Sequence, residues 1–115
     1  MKRGITVKHI NFNFSSSDVK TIIFSLSLIP LSKDLAKNEA QASINNTLAL
    51  SASDKLINHR TDLIPNEFRV IYVSLQYVQL INQGVIHADD EVKKECCNYL
   101  FSVNKLVSAF EKQFG

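Results

Sequence analysis

From Ile5 to Gln83 the chain contains no glycine, and the whole sequence has three glycines and two prolines. A many-stranded sandwich or barrel needs a tight turn roughly every 8–12 residues, and such turns draw on Gly, Pro, Asn and Asp. So few turn formers disfavour that architecture and favour long helices. They also remove every glycine-rich phosphate loop. At 115 residues the chain has the length of one domain, residues 1–115. Size scaling buries about two-thirds of its unfolded surface, enough for a core without metal or disulfide staples. With 45% apolar and 21% charged residues the composition is that of a globular protein.

Apolar spacing sets the elements. In Asp89–Phe114, Val92, Cys96, Tyr99, Val103, Leu106 and Phe110 recur at alternating intervals of four and three, and Leu100, Val107 and Phe114 form a second row at sevens. This is the stripe of an amphipathic helix, with Asp89, Asp90 and Glu91 supplying its cap and acidic first turn. A second helix is predicted from Pro65, which suits a first turn, to Gly84. Ile64, Phe68, Ile71, Leu75 and Val78 line one side, and Val70, Tyr72, Val73 and Tyr77 widen the apolar surface, which marks this helix as central.

The N-terminal half is less decisive. Gly4–Phe14 alternates apolar and polar residues with one slip of phase between Lys8 and His9, the pattern of a short strand with a bulge. Ser15, Ser16, Ser17 and Asp18 then offer a helix cap. Residues 19–31 fit a helix or a strand, with helix preferred because of that cap. Ser32–Arg60 reads as one long helix or as two in series, the second capped by Ser53 or Asp54.

Charge says little about a partner. The formal net charge is +2, too small to advertise a nucleic acid or a membrane. Lys2, Arg3 and Lys8 make a basic start. Ile22–Leu31 has the length of a signal-peptide apolar segment, and Ala40-Gln41-Ala42 the look of a cleavage site. Asp18 before the run, and Lys33 and Asp34 after it, favour a core segment instead. No run reaches the ~18 apolar residues of a membrane span. Cys96 and Cys97 are adjacent, a poor geometry for an intramolecular bond, which favours a reducing, cytoplasmic setting with both thiols free.

Chemical signatures are sparse. His9, His59 and His87 are scattered, and His87 with Asp89, Asp90 and Glu91 reads as a loop histidine beside helix-start carboxylates, not as a metal site. Cys96 reads as a small core residue, Cys97 as its neighbour, Ser15–Ser17 as caps, and Asp62 with Glu67 as solvated capping charges. No cofactor or catalytic group is implied. The expected fold is a mainly α, compact bundle of four to five helices with one short N-terminal strand. An α+β fold, with Gly4–Phe14 and Ile22–Leu28 as a hairpin packed on helices, is the alternative.

The expected function is non-enzymatic: a protein-binding or regulatory domain of inhibitor, immunity or adaptor type, acting through a helical apolar surface. Because a 26-residue helix, about 39 Å long, would overhang a sphere ~35 Å across, Leu106, Val107, Phe110 and Phe114 are the expected contact residues, for a second copy or another protein. The alternative is a nucleic-acid-binding regulator using Lys2, Arg3 and Lys8 as an arm and Arg69, Gln76 and Gln83 as a polar helix face. Few cations converge, so nucleic acid is the weaker reading.

Overall fold

Ser15 starts the ordered architecture by accepting the Asp18 backbone N–H, while the Asp18 carboxylate accepts the Ser15 N–H, each at 3.1 Å. This reciprocal box satisfies two donors that a helix start otherwise leaves unpaired. It launches α1, Ser16–Ser27. In the computed structural model, which describes residues 14–29, 39–60 and 62–114, three more helices follow: α2 (Glu39–Ile57), α3 (Pro65–Asn82) and α4 (Asp90–Phe114). Residues 22–28 being helix and its cap, the hairpin alternative is excluded; Ile22, Leu26, Leu28 and Ile29 are core residues. There is no strand among the described residues, and the expected strand over Gly4–Phe14 lies outside them save for Phe14.

The C-terminal ends of α2 and α3 are closed by the same device. After α3, Gly84 takes a φ of 81°. Its N–H then reaches the Ile81 carbonyl at 3.1 Å, and the Val85 N–H reaches Leu80 at 3.0 Å. The left-handed residue past the helix turns two orphan carbonyls into acceptors. At the end of α2 the left-handed position is His59, with a φ of 57°. The His59 and Arg60 N–H groups bond the carbonyls of Leu56 and Lys55. A non-glycine residue tolerates this conformation less well, and His is one of the few that adopt it with any frequency. The helix expected to run to Arg60 therefore stops at Ile57, and α2 is one helix through Ser53 and Asp54.

Side-chain contacts give the helix directions. Phe14, just before α1, lies 6.3 Å from the ring of Phe110 near the end of α4, and Phe24 stacks on Tyr99 at 4.6 Å. Residues 68 and 72 of α3 meet Phe110, whereas Gln79 donates to Asn104 at 2.8 Å. So α1 and α3 both run antiparallel to α4. Lys55 of α2 meets Glu67 of α3, so the end of α2 packs against the start of α3. Helix α3 packs on all three others, and α1 lies against α2, α3 and α4. The core runs along α3 through Phe68, Ile71, Leu75, Val78 and Ile81, joined by Ile22 and Leu26 of α1 and Val103 and Phe110 of α4. Ala49, Ala52 and Leu56 are the buried face of α2, and the two alanines let it approach closely.

Candidate interaction face

The one buried charge cluster of the described residues sits at the α2–α3 joint. Glu67, expected to be a solvated capping charge, has no exposed surface. Its position in the first turn of α3 lets Oε1 accept the Ile64 N–H at 2.8 Å. The same oxygen accepts Lys55 Nζ at 2.8 Å, and Oε2 accepts Ser51 Oγ at 2.6 Å. Lys55 also donates to the Asp62 carbonyl. Burial pushes the Glu67 carboxyl up, but the bonds from Lys55, Ser51 and Ile64 outweigh it and hold the group below its ordinary value. With three donors on one carboxylate and Lys55 shared between two acceptors, the cluster is internally satisfied. It staples two helices. Asp62 turns instead to Arg60 in an exposed pair, so the two carboxylates are not a catalytic couple.

Helix α4 divides into two faces. The inner one carries Cys96, Val103, Leu106, Val107 and Phe110, all buried. Three of these, Leu106, Val107 and Phe110, were the expected contact residues; they are core. The overhang on which that expectation rested does not arise, because the molecule measures 51 × 33 × 27 Å and its long axis exceeds the helix. Phe110 is enclosed by the rings of Phe14, Phe68 and Tyr72. The side chain of Phe114 lies outside the described residues.

The outer face of α4 is where apolar surface meets water. Rows at intervals of seven place Lys94, Phe101 and Ser108 side by side with Asn98, Lys105 and Lys112, and with Asp90 and Cys97. All eight are exposed, Phe101 to 83%. Phe101 stands about 160° around the helix from Val103, opposite the core. That offset was readable in the sequence, since Phe101 falls off the Val92–Phe110 stripe. A second exposed pair, Leu50 and Ile57 on α2, is one heptad apart at 72% and 60% exposure, beside Ser43, Thr47 and Asp54.

Of the residues expected for nucleic acid, Arg69 and Gln83 are exposed and Gln76 is half-buried along α3. They carry one charge among three. Lys2, Arg3 and Lys8 lie outside the described residues. Among the described residues no group of three His, Cys, Asp or Glu side chains is placed to hold a metal ion, and no helix is long and apolar enough to cross a membrane.

The two neighbouring cysteines have opposite environments. Cys96 is buried, and burial, helped by the Glu95 carboxylate, pushes its thiol up to about 11. Cys97 is exposed. A disulfide reagent added to the native protein near pH 8 is expected to label one thiol rapidly and the second only after denaturant. Two thiols reacting together in the native state would contradict this placement.

Compared with protein-family models, curated proteins and solved structures, the chain matches none.

Proposed function

We propose that the protein is a small non-enzymatic binding domain that engages another protein chain through the outer face of α4. The observation that carries this reading is Phe101, a large aromatic ring left in water at the middle of a helix whose inner face is complete. Aromatic side chains supply large contact area at little entropic cost and are enriched where proteins bind one another. The partner-binding residues of the C-terminal helix are thus moved from Leu106, Val107 and Phe110 to Phe101 and its neighbours. An inhibitor, immunity or adaptor role is compatible with such a surface. A cytoplasmic setting suits the free Cys97 thiol on the same face.

Capture experiments with the parent and a Phe101→Ser variant from the native extract test the reading. A species retained by the parent and lost with Phe101→Ser, at an unchanged melting temperature, is the expected outcome. Identical capture by both would place the binding surface elsewhere.

A further inference from the structure

We infer that the partner fitted to this face is α2 of a second copy, so that copies of the protein associate head to tail. The inference rests on the proposed role of the α4 face and adds the identity of its occupant. Helices α2 and α4 each pack on α1 and α3, which sets them at opposite corners of the bundle with their outer faces turned apart. Phe101 is the apolar group exposed on one face, Leu50 and Ile57 those exposed on the other. Leu50, Ser53, Asp54 and Ile57 stand at i, i+3, i+4 and i+7, the four positions that frame a hole for one side chain of a facing helix. The charges of the two faces are opposite. Apart from Lys55, drawn in to Glu67, the charged residues of α2 are Glu39 and Asp54. Along the outer row of α4, past Asp90 in its first turn, they are Lys94, Lys105 and Lys112. None of these five is engaged in an ion pair among the described residues.

The order of residues around each helix selects the direction. At about 100° per residue, Lys94 and Lys112 stand about 20° and Lys105 about 40° from Phe101, all on one flank. In the same rotational sense Asp54 stands about 40° from Leu50, and Ile57 about 20° the other way. Helices packed antiparallel set flanks of the same sense against each other. Asp54 therefore faces the lysine flank while Leu50 and Ile57 close on Phe101. With Phe101 centred over the hole, Asp54 and Lys105 lie about 7 Å apart along the axis and Glu39 and Lys112 about 5 Å, within reach of a lysine side chain. Asp90 and Lys94 fall past the end of α2. A parallel pairing would turn Asp54 to the flank of Asn104 and Ser108 and bring Glu39 beside Asp90. A contact between two different faces leaves one of each free on every pair, so it builds chains or a ring and does not stop at a dimer. One helix pair buries less than a standard interface, so the association is weak and reversible.

Sedimentation equilibrium of the full chain at low salt, from about 10 µM to about 0.5 mM, tests the pairing. The parent is expected to associate beyond the dimer as concentration rises. Phe101→Ser lacks the knob and Leu50→Ser/Ile57→Ser lacks the hole, so each alone is expected to stay monomeric. Mixed in equal amounts, the two variants still hold one knob and one hole between them. They are expected to form a 1:1 dimer and to stop there. Circular dichroism melts of each variant accompany the run, so that loss of fold is not read as loss of contact. A parent that stays monomeric throughout, or a mixture no more associated than its components, overturns the pairing. If the parent stays monomeric while a Phe101-dependent partner is still captured, the self-association falls and the protein-binding role stands. Association indifferent to Phe101→Ser overturns the pairing, and capture equally indifferent removes the protein-binding role with it.

Discussion

Replacing Glu67 by Gln is expected to cost about 3 kcal/mol of folding stability, measured by urea denaturation at pH 7. The amide keeps the shape but leaves Lys55, largely buried, without its counter-charge. One of the three groups now donating to the carboxylate would also meet an amide nitrogen instead of an acceptor. Removing one partner of a buried pair is worse than removing both, because the survivor has lost its solvation. A Lys55→Met/Glu67→Leu chain should therefore recover part of the loss, short of the parent because the Ile64 N–H remains unpaired. Acid should act through the same group. Its folded carboxyl titrates below the ordinary value of about 4.3, so its contribution is fully present above that value and is lost as pH falls through the folded one. Stability should drop as pH falls below about 4.5, and by less in Glu67→Gln than in the parent.

The second large effect is expected at Phe110. Its ring is 1% exposed and packs with three other aromatic rings, Phe68 and Tyr72 of α3 and Phe14 before the α1 cap. Phe110→Ala removes the side chain on which those elements converge and leaves a cavity that rigid helices cannot fully close. A loss of about 3–5 kcal/mol follows, enough to unfold much of the population of a domain of ordinary stability. Denaturation followed by near-ultraviolet and far-ultraviolet signals in parallel checks this. A change below about 1 kcal/mol would mean that the α4 stripe is not the core.

How far the sequence reads depends on the range of the interactions. Helices α3 and α4 were legible because their apolar period is local and long, and the start at Pro65 and the stop at Gly84 are chemically distinctive. The Ser15 cap was legible for the same reason. The end of α2 was not, because its left-handed residue is His59 and not glycine, and a histidine carries no comparable signal. Burial of Glu67 depends on Ser51 and Lys55, sixteen and twelve residues earlier. The two are one turn apart on α2, so they share a face, but nothing local to Glu67 announces that it will meet them. The burial of Leu106, Val107 and Phe110 was not legible, for a geometric reason. A sphere was assumed, and a bundle elongated to 51 Å accommodates α4 alongside its neighbours. What remained visible was the off-stripe position of Phe101, an apolar residue at an angle where a core helix has no use for one.

Helix α4 turns Phe110 into the core and Phe101 into solvent, the face proposed for a partner. Melting Phe110→Ala and Phe101→Ser beside the parent, at a dilution where the chain is monomeric, measures it directly. At ~4–8 °C per kcal/mol for a domain of about this size, Phe110→Ala should melt at least ~12 °C below the parent and Phe101→Ser within ~3 °C of it. Equal losses in the two variants, or the larger loss at Phe101, would contradict the assignment of both faces.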